Sequence, residues 1–183
     1  VLDSQFRDDE TPCYRGNVIY LSTFSKTLAP GLRLGWVVAP PEVIAKLVQA
    51  KQGADLHTAT FNQVVAHEVS RGGFLDRHIQ LIREVYGKRR DLMLAAMDRH
   101  FPAEVDWTYP QGGLFLWGTL PAYMDAKDLL KTCLEKKVAF VPGEPFHPVG
   151  GGKNTMRINF SNATHEEIQI GIERLGDAIG EKL

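Results

Sequence analysis

The chain has 183 residues, 44% hydrophobic and 23% charged, which is ordinary globular composition with apolar mass for one good core or two small ones. Its 21 Lys and Arg nearly balance 22 Asp and Glu, leaving a net charge of -1, and no basic excess or polybasic cluster asks for nucleic acid or an anionic membrane. Cys13 and Cys133 lack CxxC spacing and are too few for a disulfide scaffold, which points to a reducing cytoplasm, and no run approaches the roughly 18 apolar residues of a membrane span.

Val1-Leu2-Asp3 reads like a strand entered partway, so the chain is expected to be a fragment or a processed product. Val18 to Leu21 is apolar or β-prone and predicts a buried strand. A loop bearing Ser25, Lys26 and the turn pair Pro30-Gly31 leads to a second expected buried strand, Leu34 to Ala39. Pro41 suits the first turn of a helix running to about Lys51. Strand, compact loop, strand and helix in that order indicate an α/β layer. Another helix is expected from near Asn62, interrupted at Gly72-Gly73.

The clearest helix follows. Leu75, Ile79, Ile82, Tyr86, Met93 and Met97 fall close to a 3.6-residue period, broken once where Arg89 and Arg90 occupy the apolar slot. Pro102 lies beyond its end. From there the pattern is α+β. Val105 to Tyr109 and Leu114 to Thr119 read as strands joined through Pro110-Gln111-Gly112-Gly113. Asp125 to Lys137 reads as a helix, Val138 to Val141 as a short strand, and Met156 to Phe160 as the last strand. Thr164 and Glu167 form a capping box ahead of the apolar stripe Ile168, Ile172, Leu175 and Ile179. The domain boundary is expected inside the long helix, with residues 1–85 and 86–183 as the two parts.

The chemistry concentrates in Thr23-Phe24-Ser25-Lys26-Thr27-Leu28-Ala29-Pro30-Gly31-Leu32-Arg33-Leu34-Gly35. A lysine just after a buried strand is expected to be desolvated, which disfavours the ammonium and leaves an amine able to condense with an aldehyde. Thr23 and Ser25 offer hydroxyl donors and Arg33 a bidentate cation, a set that suits a dianionic phosphate. An aldehyde acceptor beside a phosphate anchor describes pyridoxal 5'-phosphate (PLP). The plain alternative is a capped surface loop with a solvated Arg33.

A second candidate is Arg157, in Asn154-Thr155-Met156-Arg157-Ile158-Asn159-Phe160-Ser161. An arginine on a strand that otherwise reads as buried needs an anionic partner, either a protein carboxylate or a ligand. The glycines of Gln111-Gly112-Gly113 could let backbone approach a ligand or simply form a tight hairpin. Gly150-Gly151-Gly152-Lys153 resembles a phosphate loop, but His147 stands where its first glycine belongs and Asn154 replaces the hydroxyl residue, so it reads as a plain loop. The six histidines form no metal-ligand pattern.

Ser-Lys followed by Pro-Gly and then Arg-x-Gly resembles the PLP-lysine motif of class I/II, fold-type I aminotransferases, and the likeness runs from about Asn17 to the C-terminus. The branch it most resembles contains 2-aminoadipate, kynurenine and aromatic aminotransferases, and the aminotransferase-like domains of MocR-type regulators are also similar. The resemblance implies an α/β fold: the C-terminal part of a large PLP-binding domain, then a small α+β domain. It implies that Lys26 carries the Schiff base and acts as general acid/base, that Thr23, Ser25 and Arg33 hold the phosphate, and that Arg157 binds the substrate α-carboxylate. Asp3, in Asp3-Ser4-Gln5-Phe6, matches either the aspartate that pairs with the pyridine nitrogen or a stretch just after that element. An N-terminal half, which in the family supplies the rest of the cofactor site, has no counterpart here, so an inactive fragment with an incomplete site stands as an alternative beside the enzyme and the regulator. Amino-acid and 2-oxo-acid substrates and a homodimer complete what the resemblance implies.

Overall fold

The structure is a computed structural model and describes residues 18–183. Asp3 and Cys13 lie outside the described residues. The chain divides into two compact units, one ending at Leu81 and the other comprising Ile82–Leu183.

The first unit opens with strand β1 (Tyr20–Thr23), a loop closed by the 3-10 turn Pro30–Leu32, and strand β2 (Gly35–Val38). The two strands pair antiparallel, Tyr20 opposite Val38 and Thr23 opposite Gly35. Helix α1 (Pro41–Ala54) starts with the proline at its first turn, and helix α2 (Thr60–Ser70) follows. Gly72 and Gly73 then adopt positive φ, +64° and +72°, and break the helical path at the expected place.

One expectation for these strands is not met. Tyr20 and Leu21 are 53% and 70% exposed, and Trp36 and Val38 are also exposed, while Leu34 and Ala39 at the strand margins are buried. A two-stranded ribbon cannot cover both of its faces, so the described residues leave this β-prone, apolar sequence uncovered.

Helix α3 (Phe74–His100) contains the boundary between the units. Its buried residues, Met93, Ala96 and Met97, belong to the second unit. The break in its apolar stripe has a local reason. Arg89 Nη1 donates to the Ser161 carbonyl and Arg90 Nη1 to the Pro110 carbonyl at 3.2 Å, so both arginines satisfy loop backbone.

The second unit continues with β3 (Asp106–Trp107), β4 (Phe115–Thr119), α4 (Ala126–Glu135), β5 (Val141–Pro142), β6 (Thr155–Asn159) and α5 (His165–Gly180). Its sheet is antiparallel throughout in the order β3-β4-β6-β5. The strand expected at 138–141 is displaced to Val141–Pro142, because Lys137 turns the chain with φ 58°. Leu116, Met156 and Ile158 face a core shared with Met97, Leu129, Cys133, Ile168, Ile172, Leu175 and Ile179. Asp125 caps α4 by accepting from the Lys127 amide at 2.8 Å. Thr164 and Glu167 form the expected capping box of α5. No helix among the described residues is long and apolar enough to cross a membrane.

Candidate functional site

The Lys26 loop is tied together by its own backbone. The Phe24 amide donates to the Leu34 carbonyl at 3.1 Å, extending the β1–β2 ladder by one bond. The Phe24 carbonyl then accepts from the amides of Leu28 and Ala29, at 2.9 and 3.0 Å, which closes one tight turn over Ser25, Lys26 and Thr27. Thr23 Oγ1 accepts from the Ser25 amide at 3.1 Å, so its own hydroxyl hydrogen stays available to donate. On the outgoing side, Pro30 starts the 3-10 turn, and Arg33 ends it in the left-handed region at φ 52°, ψ 39°. Non-glycine residues adopt that conformation at a cost, and such positions cluster at binding sites. Arg33 Nη1 donates to the Pro30 carbonyl at 3.1 Å, while Asn62 on α2 anchors the turn by donating to the Leu32 carbonyl at 3.1 Å.

The structure thus brings Thr23, Ser25, Lys26 and Arg33 onto one loop. It corrects the reason given for Lys26. The side chain is exposed, as are Thr23 and Arg33, with Ser25 half-buried, so the described residues do not supply the expected desolvation. The uncovered β1–β2 ribbon is the physical cause. Lys26 Nζ makes no ion pair or hydrogen bond with the described residues, so none of them occupies it. A lysine, two hydroxyls and a guanidinium close together in the chain fit an aldehyde-bearing phosphate ester. A cavity of about 550 Å³ also opens in this unit, walled by Phe24, Leu34, Trp36, Ala66 and Ser70, but Lys26 and Arg33 are not among its lining residues.

In the second unit Arg157 lies on the sheet face opposite Met156 and Ile158, so it points away from the core. Its guanidinium carbon sits 4.2 Å from the centroid of the Phe115 ring and 4.6 Å from that of Phe146. No carboxylate among the described residues pairs with it, and its Nε is buried without a hydrogen-bond partner. An unpaired, partly desolvated guanidinium has donors left over that an anion could take up. This favours the ligand alternative over an internal ion pair.

No sequence motif marks Phe146, and Phe115 lies within the strand expected at Leu114 to Thr119 without a role of its own. The available signal was positional. Residues 155, 157 and 159 share one face of β6, and the turn Gly-Glu-Pro-Phe ends beside it. Cys133 is fully buried in the core, and that burial pushes its thiol up to about 11. No group of His, Cys, Asp or Glu among the described residues is arranged to hold a metal ion.

Residues 7–175 match the family model of aminotransferase class I and II. The chain is 51% identical over 168 residues to aromatic-amino-acid aminotransferase 1 of Thermococcus litoralis, covering 92% of this chain and 40% of that protein. It superposes with a TM-score of 0.84 and 48% identity on the alpha-aminoadipate aminotransferase of Thermus thermophilus complexed with N-(5'-phosphopyridoxyl)-L-leucine, over 89% of this chain and 42% of that one. At 33% identity, over 94% of this chain and 37% of the relative, it is also similar to the HTH-type transcriptional regulator YdfD of Bacillus subtilis. The chain therefore spans about two fifths of the length of the relatives it matches. A fold-type I architecture, the Lys26 loop and this match agree, and the chain belongs to the class I and II aminotransferase family.

Proposed function

We propose that the protein is a PLP-dependent aminotransferase that moves the amino group of an L-amino acid to a 2-oxo acid such as 2-oxoglutarate. The observation that carries this reading is the loop itself: Lys26 flanked by Thr23, Ser25 and Arg33, in a chain of this family. PLP, when bound, supplies an aldehyde carbon and an electron sink. Lys26 Nζ would hold PLP through that carbon and would carry the proton at the substrate Cα as general acid/base. The Thr23 and Ser25 hydroxyls and the Arg33 guanidinium hold the phosphate. Arg157 takes the substrate α-carboxylate as a fork, and fixing the substrate there orients its Cα–H bond for proton removal. Asp3 is assigned to the pyridine nitrogen by its place in the sequence alone.

In this reading residues 1–85 are the C-terminal portion of the large cofactor domain and 86–183 the small α+β domain. The working protein is a homodimer of the cytoplasm. The second reading, an aminotransferase-like ligand-sensing domain of a MocR-type regulator, is favoured by the likeness to a helix-turn-helix regulator. The two part at turnover.

The test is direct. The chain and its Lys26→Ala variant are incubated with PLP, reduced with borohydride and mapped by mass spectrometry. A pyridoxyl adduct at Lys26, absent from the variant, is expected. Labelling of Lys26 no stronger than that of exposed lysines such as Lys131 would sink the assignment. A Lys26 adduct in a protein that never converts 2-oxoglutarate to glutamate would favour the regulator.

A further inference from the structure

We propose that Phe115 and Phe146 are positioning residues that set the direction of the Arg157 fork, an inference that rests on the reading of Arg157 as the carboxylate receptor. The guanidinium is planar. Its faces take aromatic rings, and its N–H donors leave through the edge. With one ring centroid 4.2 Å and the other 4.6 Å from the guanidinium carbon, both rings are in cation–π contact with Arg157. A carboxylate binds such a fork in its plane, so the plane that the rings fix is the plane in which the carboxylate lies.

Each ring is itself held. Trp117 is the direct cross-strand partner of Arg157, and Asn159 that of Phe115, which makes Phe115 the diagonal neighbour of Arg157 at a reach suited to long side chains. Phe146 arrives from the other side, on the 3-10 turn Glu144–Phe146 after β5, and Val141 of β5 pairs with Arg157. That turn is pinned at several points. The Gly143 amide donates to the Thr155 carbonyl at 2.7 Å, the Phe146 amide donates to the Gly143 carbonyl at 2.9 Å, and Lys127 pairs with Glu144. A Cβ at Gly143 would collide with the Thr155 side chain and the Trp117 ring, so the turn approaches the sheet as closely as it does only with glycine there. Trp117 meets Phe146 edge-on, with centroids 5.7 Å apart and planes at 79°. The packing therefore serves the position of the Phe146 ring, although that ring is 46% exposed and contributes little to the core.

The test uses the 15N-labelled chain and reads the Arg157 Nε–Hε resonance during titration with 2-oxoglutarate, with Arg157→Lys as the reference for the receptor itself. The Phe115→Leu and Phe146→Leu variants are expected to lose the ring-current shift of that resonance. Each is expected to bind 2-oxoglutarate more weakly by roughly threefold to thirtyfold, the range of a cation–π contact at a partly exposed site. Phe→Tyr at either position keeps a ring face and restores binding. Phe146 is the safer position, because its exposure leaves the core untouched on truncation, and unchanged melting confirms folding of each variant. Two results overturn the proposal in distinguishable ways. Leucine variants that bind as tightly as the parent, while Arg157→Lys fails, remove the positioning role alone. A parent chain whose Arg157 resonance ignores 2-oxoglutarate removes the carboxylate reading and the proposal with it.

Discussion

Gly176 sits in α5 where the chain passes the C-terminal end of α3, and a Cβ built there would fall inside van der Waals contact with the His100 carbonyl. Neither side can yield cheaply, since one is helix backbone and the other a carbonyl at a helix end. Gly176→Ala is expected to destabilise the fold by about 1–3 kcal/mol, read as a lower urea midpoint at unchanged slope. The same scale explains why Arg33 escaped the sequence reading as a strained residue. An arginine gives no hint of a left-handed backbone, which sequence patterns associate with Gly or Asn, yet φ is 52° there. Its cost is of the order of 1–2 kcal/mol. The motif around Lys26, by contrast, is visible in the sequence, because its candidate groups are near neighbours in the chain. The exposure of Lys26 was not legible, because it depends on what covers the ribbon beside it.

Among the elements, α5 shows how local sequence fixes a helix start. The Thr164 hydroxyl accepts from the Glu167 amide at 3.2 Å, and the Glu167 carboxylate accepts from the Thr164 amide at 2.7 Å. Thr164→Ala is expected to cost about 1 kcal/mol of unfolding free energy, measured by urea denaturation near neutral pH. The pH dependence has a definite sign. The hydrogen bond from the Thr164 backbone holds the Glu167 carboxyl below its ordinary value of 4.5, so its contribution is full above that value. It is lost as pH falls through the lower, folded value. Glu167→Gln should flatten that acid limb of the stability profile. Both the capping box and the interruption at Gly72-Gly73 could be read from sequence, since each is a contact between near neighbours. The displaced strand at Val141–Pro142 and the diversion of Arg89 and Arg90 to the carbonyls of Ser161 and Pro110 could not. The arginine contacts join residues 72 and 20 positions apart, and the strand is displaced by a left-handed Lys137, a conformation that sequence patterns do not associate with lysine.

Across the whole molecule, the motif strings around Lys26 and Arg157 were enough to indicate the family and the mixed α/β character, because both strings are short and contiguous. The placement of Phe146 against Arg157 was hidden, because a turn and a strand separated in sequence must first meet. The two units also differ in what they bury. In the first, the buried apolar side chains among the described residues are Leu34, Ala39 and Ala66, whereas the second closes a continuous core from Met93 to Ile179. Apolar burial is the main favourable term in folding, so this inequality becomes a timetable. In hydrogen–deuterium exchange the amides of β1, β2, α1 and α2 are expected to exchange early and together, well ahead of those in β4, β6 and α5. Uniform protection across both units would contradict it. A brief encounter with a protease should likewise nick the chain first before Leu81 and leave a folded remnant beginning within α3, so the loop that carries Lys26 would be lost while the strand that carries Arg157 persists.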